Sequence, residues 1–441
     1  MRRLFHLLAL VMVIAFALTA CTSGATTPPA APTAAPAPTA PPAAQSAQTK
    51  AATTPASTAQ TVKEVVVGAV HPLTGALAQD GAFLKNGIDL AVEEINGAGG
   101  IKALGGAKLV IKHADSQGKP EVGQSETERL IGEGMTALIG TYQSAVTLNA
   151  TQVAEREKVP FIVDVTVANQ ILERGFNYTF RIQPDQTQMT LGLVEALPDL
   201  RSISGLPVKK VVTLHEDSIF GTGFVDILKN IAPQHNLELL GDVSYSVKGL
   251  TDLTTELSRA QALNPDIIVA TGYLNDGILL ARTAKDLQIK APIIGLANGA
   301  FSTQQFVDQV GKIGEYFMDA NYHYDATKAK AREVRDRYKA KFGTDMPTHG
   351  VMAYEAVYVL KDALERCGST DRAKVRNALA ATKLADHILP YQGAIEFDEK
   401  GQAKNARSVL MQIQDGKILQ VAPAALAEAK PVFPPPPWSQ R

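Results

Sequence analysis

The sequence predicts an α/β protein of two lobes, each built on a mostly parallel sheet, with a ligand cleft between them. Three observations carry this. Strand-like and helix-like segments alternate along residues 64–165, and again along 209–296. The two series have similar length, as two sets of βα units do. A run of helices then follows both series. That order makes sense if the chain returns to the first lobe and then crosses to the second, which turns the connections into hinge segments.

In the first series EVVVGAV (64–70) reads as a strand, and residues 81–96 place Leu84, Ile88, Ala91 and Ile95 on one helical face. Strands at 108–114, 137–140 and 160–165 alternate with helices at 121–133 and 144–157. After YTFRI (178–182) the second series gives strands at 209–215, 238–245, 266–271 and 292–296. Its helices fall at 223–231, 250–263 and 276–287. The closing helices are 327–342, 348–367 and 371–382. Short strands follow at 394–397 and 409–414, with QDGK (414–417) as an Asp-Gly hairpin turn. The first lobe is thus expected at 62–183, with 320–392 returning to it. The second is expected at 184–319, with 393–428 returning. The Pro-rich end, 429–441, holds Val432, Phe433 and Trp438 and is expected to pack on the body.

Of 441 residues, 45% are apolar and 20% charged, an ordinary globular balance. The formal charge is −1 with no basic stripe, which argues against nucleic acid as a partner. Two cysteines, Cys21 and Cys367, build neither a disulfide framework nor a zinc site. No metal and no cofactor is expected.

The N-terminus reads as an address. Arg2 and Arg3 precede an apolar run, Leu4 to Leu18, whose fifteen residues are short for a membrane span. Then comes LTAC, Leu18 to Cys21, which resembles the bacterial lipobox. In that motif the cysteine thiol becomes the lipid attachment point. Residues 1–20 are therefore expected to be a lipoprotein signal peptide. Each buried acyl CH₂ contributes about 0.8 kcal/mol, so two or three chains anchor a protein stably at a membrane. Residues 22–61 hold eight prolines and almost no large apolar group, the composition of a semi-extended tether.

Enzyme signatures are missing: no GxxxxGK[ST], no HExxH and no GxSxG. GTGFVD (221–226) lacks the third glycine of a dinucleotide fingerprint. The chain is not expected to be an enzyme. The positive signal lies at strand ends, where open α/β sheets bind ligands. Small or polar loops stand there at 71–81, 140–145, 164–169, 215–223 and 271–276. In GTYQSAVT (140–147) a strand turns directly into a helix. A helix N-terminus carries roughly half a positive charge and free N–H donors, so it can hold a carboxylate without lysine or arginine. Ser144 either adds its hydroxyl to that site or merely caps its own helix.

Residues 63–423 resemble periplasmic binding proteins of the branched-chain amino acid type, the receptors of ATP-driven importers for hydrophobic amino acids and amides. The stretches that carry the likeness are VGAVHPLTGALAQDG, GIDLAVEEINGAGGI, IGTYQSAVT, VPFIVDVTVA, RGFNYTFRI, IFGTGF, NPDIIVATGY and IEFDEKGQ. The resemblance implies two Rossmann-like lobes joined by three hinge segments that close on a ligand. It further implies an extracytoplasmic monomer that delivers its solute to an ABC permease. A ligand-sensing receptor of the same fold, coupled to a signalling partner, is the alternative. In the pattern of that family Ser144 holds the ligand carboxylate, Tyr142 touches the ligand body beside Gln143, and Val165 contributes backbone. A threonine is expected at Val167, with Thr166 one place away. Phe220 and Tyr273 cover the ligand from the second lobe, and Phe220 lacks the hydroxyl of the tyrosine often found there. Asn298 is the nearest match to the acid that pairs the ligand ammonium. Asp80 or Asp276 replaces it, or the ligand has no ammonium.

Overall fold

The computed structural model describes residues 62–441, so the leader, Cys21 and the tether lie outside the described residues. The first sheet contains β1 (Glu64–His71), β2 (Lys108–Asp115), β3 (Ala137–Gly140), β4 (Phe161–Val163) and β5 (Thr179–Arg181). It is wholly parallel, in the order β2-β1-β3-β4-β5. Its inner strands are apolar runs because helices cover both faces. β3 and β4 are buried at every position.

The second sheet holds β6 (Lys210–Glu216), β7 (Glu238–Tyr245), β8 (Ile267–Thr271), β9 (Ile293–Leu296), β10 (Met318–Asn321), β11 (Val409–Gln414) and β12 (Lys417–Ala422). Its order is β12-β11-β10-β9-β8-β6-β7, and β11 alone runs against the others, antiparallel to both β10 and β12. The expected pair of mostly parallel α/β lobes is what the chain forms. In each sheet the first strand has its successors on opposite sides: β2 and β3 flank β1, and β7 and β8 flank β6. Those are the topological switch points, where helices leave on opposite faces and a crevice opens at the strand ends.

Helices fill the layers. The first lobe carries α1 (Ala78–Gly97), α2 (Pro120–Gly132) and α3 (Ser144–Arg156). The second carries α4 (Gln186–Ser204), α5 (Ile219–Ile231), α6 (Thr254–Ala262), α7 (Leu274–Asp286) and α8 (Gln304–Val310). Later come α9 (Ala329–Phe342), α10 (Thr348–Cys367) and α11 (Arg372–Ala380); α9 and α10 pack on α1, and α11 packs on α10. α1 and α10 approach so closely that a Cβ on Gly87 would lie 2.3 Å from the Gly350 carbonyl. The chain therefore passes between the sheets after β5, after β10 and before β11.

A buried polar knot ties the first and last of these passages. Arg181 donates through Nε to Gln402 Oε1 at 2.6 Å and through a terminal nitrogen to the Ala168 carbonyl at 2.7 Å. Gln402 in turn donates to the Gln183 carbonyl at 2.8 Å. The C-terminal segment lies on the second sheet. Val432 exchanges two backbone bonds with the Gln412 side chain, both 2.8 Å, and Trp438 donates to the Ile289 carbonyl at 2.8 Å.

Several local expectations need correction. No helix was expected at 183–208, yet α4 fills 186–204. Its start carries a reciprocal cap between Asp185 and Gln188, and Pro198 is accommodated inside it. α8, capped by Thr303, and the four-residue β10 were likewise unexpected. Residues 394–397, expected as a strand, form only single bridges, Leu384 with Ile395 and Phe397 with Ala403. α5 begins four residues earlier than the reading from 223, because Ser218 accepts from the Phe220 N–H and starts the helix there.

Candidate binding site between the lobes

β3 ends at Gly140, which adopts φ +147°, and a Cβ there would sit 2.6 Å from the Val70 carbonyl. Only glycine suits both demands, so the strand can turn sharply into α3. The first residue of α3 is Ser144; Gln143 occupies the cap position and no side chain caps this end. The N–H groups of the first turn and the Ser144 hydroxyl are thus left for something other than the helix itself. Ser144 is 2% exposed and lines a small cavity of about 20 Å³. The loop is held from below by three threonine hydroxyls in series, Thr141 to Thr147 at 2.8 Å and Thr147 to Thr166 at 2.9 Å.

The first lobe adds Tyr142, Val165, Thr166 and Val167 to the cavity wall. The second lobe adds Phe220 after β6, then Gly272 and Tyr273 after β8, and Ala297 and Gly299 after β9. Tyr322, from the passage after β10, donates to the Val165 carbonyl at 3.3 Å. His349, on α10, meets the Tyr142 ring edge-on with centroids 5.1 Å apart. Phe220 and Tyr273 lie 5.4 Å apart. Burial pushes the phenols of Tyr142, Tyr273 and Tyr322 well above their usual range, and it lowers His349 to about 4. At neutral pH the wall is therefore uncharged: hydroxyl donors, aromatic faces and one helix start. A larger groove of about 670 Å³ runs beside the passage after β10. It is open and lined by solvated charged chains such as Arg335 and Lys339, without convergent donors from the strand ends.

Six of the nine residues singled out in the sequence meet at this cavity: Tyr142, Ser144, Val165, Thr166, Phe220 and Tyr273. Three do not form its wall. Gln143 leaves its Oε1 buried without a partner beside Gly118. Asn298 turns into its own lobe, where its Oδ1 accepts from the Ala300 N–H at 3.0 Å. Asp80 is 1% exposed and lies behind the wall beside Tyr142, with its Oδ1 buried and without a partner among the described residues. Burial raises its carboxyl to about 7; the hydrogen bond from Tyr142 opposes that rise and Asp276 adds to it. Asp276, the other acid considered, is occupied: it accepts from the Tyr273 N–H at 2.9 Å and the Tyr245 hydroxyl at 3.1 Å, capping α7. Sequence reasoning passed over Gly272, Ala297, Gly299, Tyr322 and His349. The signal for His349 was a histidine within an otherwise apolar helical stretch.

Two doubly wound lobes whose switch points share one small aromatic cavity define a two-lobe α/β binding architecture. A family profile described as periplasmic binding protein matches residues 64–417, and the chain belongs to that family. Among curated relatives, "Leu/Ile/Val-binding protein homolog 8" of Brucella abortus (strain 2308) is 29% identical over 382 residues, covering 84% of this chain and 93% of the relative. Two solved structures share the fold. The branched-chain amino acid transporter substrate-binding protein LivJ of Streptococcus pneumoniae, in complex with isoleucine, has TM-score 0.70 at 24% identity, covering 81% of this chain and 98% of that one. A solute-binding protein of an ABC transporter from R. palustris, in complex with benzoate, has TM-score 0.71 at 20% identity, covering 84% and 99%. The family is one of binding proteins.

Proposed function

We propose that the chain is an extracytoplasmic, lipid-anchored solute-binding protein of an ABC importer. It captures a small amino acid or a related carboxylate or amide by closure of its lobes and delivers it to a membrane permease. The observation that carries this reading is the uncapped start of α3 at Ser144, buried and facing aromatic groups of the opposite lobe. Donors fixed at a helix start favour a carboxylate. A ligand seated there gains the second lobe's contacts only when the lobes meet, so its binding shifts the population toward the closed form. The family's solute-binding members and the amino-acid ligands named for relatives support the class of cargo. The LTAC sequence at Cys21 supports the anchor.

The test is a thermal-shift screen of the full chain in detergent against amino acids, amides and small carboxylates. A ligand bound only by the folded state at a hundred times its Kd stabilises by about 2.7 kcal/mol, a readily measured rise in Tm. A cooperatively folded protein that responds to none of the three classes overturns the reading.

A further inference from the structure

Most acids near the cavity are already engaged, although Asp80 and Asp164 each keep one buried oxygen without a partner among the described residues. Asp164 is paired with His71 at 2.8 Å, both fully buried. Asp276 caps α7, and Glu216 accepts from the Ser218 hydroxyl and the Gly221 N–H, both 2.7 Å. Asp319 holds the Asn298 N–H at 3.1 Å and the Asn321 side chain at 3.0 Å. No carboxylate belongs to the cavity wall, whose body is Tyr142, Val165, Val167, Phe220, Tyr273 and Ala297. Asp80 stands behind the Tyr142 hydroxyl. A carboxylate entering this space meets the donors of α3. An ammonium entering it meets aromatic faces and methyl groups, and no carboxylate in the wall itself.

Position 297 sets this balance. Ala297 directly follows β9, has φ +54° and lines the cavity, while its N–H is spent on the Ala320 carbonyl at 2.9 Å. The left-handed turn at Ala297 carries the next side chain, Asn298, away into the lobe. The two positions of that loop in the cavity wall, 297 and 299, thus carry a methyl and no side chain, and neither offers a charge.

Building on the solute-binding reading above, we propose that the site selects small monocarboxylates with an apolar or aromatic body and no α-ammonium, and that Ala297 determines this preference. An amino acid buried here keeps an unpaired charge, which is costly enough to forfeit affinity by orders of magnitude.

The experiment is calorimetric titration of the full chain in detergent with matched pairs: leucine against 4-methylpentanoate, and phenylalanine against 3-phenylpropanoate. The deaminated member of at least one pair is expected to bind roughly a hundredfold tighter, the scale of a buried charge left unpaired. Ala297→Asp adds a carboxylate at a position whose positive φ aspartate tolerates, and it is expected to narrow that ratio about tenfold or more. If the variant does not fold, the wild-type ratio decides alone. An amino acid that binds more tightly than its deaminated partner overturns the inference and leaves the solute-binding reading standing. Binding by no acid of either kind, in protein that unfolds cooperatively, overturns the carboxylate reading of the site and this inference with it.

Discussion

The rings of Tyr142 and Tyr273 lie 5.7 Å apart and tilted by 53°, one supplied by each lobe. Tyr142 follows β3 and Tyr273 stands at the cap position of α7 after β8, so the pair joins the two switch points directly. His349 extends the contact on one side and Phe220 on the other, at 5.1 Å from Tyr142 and 5.4 Å from Tyr273. Offset and tilted aromatic pairs add about 0.5–1.5 kcal/mol each beyond burial. Such contacts reward apposition of the lobes without fixing it.

Ser144→Ala tests the anion subsite. The hydroxyl caps nothing in the folded protein, so its removal leaves Tm nearly unchanged. It removes one donor to a buried carboxylate, which costs about 1–3 kcal/mol of affinity. Titration calorimetry with whichever carboxylate binds reads this directly. An affinity within a factor of two of wild type removes Ser144 from the site.

Gly299→Val tests closure. A Cβ at this position would lie 2.9 Å from the Tyr142 hydroxyl and 3.3 Å from the Tyr273 Cα. Valine therefore presses on Tyr142 across the interlobe contact and on the Gly272–Tyr273 backbone of its own lobe. The expected result is loss of ligand affinity by about tenfold or more, the price of a repacked interface on the scale of 1–3 kcal/mol. Small-angle scattering with saturating ligand should show a larger radius of gyration than for wild type. A variant that closes and binds normally contradicts the placement of these residues at the interlobe contact.

The alternation of strands and helices was legible because each strand is a short apolar run and each first-lobe helix shows a periodic face. α4 was not: it is flanked by Pro184 and contains Pro198, and proline ordinarily interrupts a helix. The first lies just outside the helix, and the second is tolerated within it. Half the cavity was legible for a simple reason: Tyr142, Ser144, Phe220 and Tyr273 directly follow strands, and strand ends are where crevices form. The rest depends on register and distance. Asn298 and Ala297 differ by one place, and the one in the cavity lining is Ala297, which has the positive φ. Tyr322 and His349 enter from a passage and a helix far along the chain, so no local pattern ties them to Ser144.

Glu355 gives a pH prediction. It is buried on α10, its Oε2 accepts from the Ile388 N–H at 3.1 Å, and its Oε1 has no partner among the described residues. Burial pushes its carboxyl up from 4.5 to about 7, and nearby Lys328 and Lys330 offset only part of that. With a folded-state pKa above the unfolded one, the native protein holds the proton longer. This contribution to stability is full below about 4.5 and is lost as pH rises through about 7. Glu355→Gln keeps the acceptor and cannot ionise. Relative to wild type it should be indifferent at pH 4 and more stable at pH 8, by up to about 3 kcal/mol. Urea unfolding at the two pH values checks this, and equal differences at both would refute it.

Gln402→Leu tests the knot between the first and last passages. Gln402 accepts from Arg181 Nε at 2.6 Å and donates to the Gln183 carbonyl at 2.8 Å. Arg181 is 1% exposed, and its nearest carboxylate, Asp185, is 3.8 Å away. Burial already lowers its pKa to about 10, so this guanidinium depends on neutral acceptors. Leucine fills a similar space but strands one N–H of a buried cation and one carbonyl. Each orphan costs about 1–3 kcal/mol, so the urea midpoint should fall by the equivalent of about 2–4 kcal/mol with an unchanged slope. Gln402→Glu restores the acceptor to Arg181 and adds a matching charge. It should recover the larger part of that loss, because the bond to the cation is the stronger of the two. A leucine variant within about 0.5 kcal/mol of wild type, the scale of an ordinary surface change, would mean that the passages are held by packing alone.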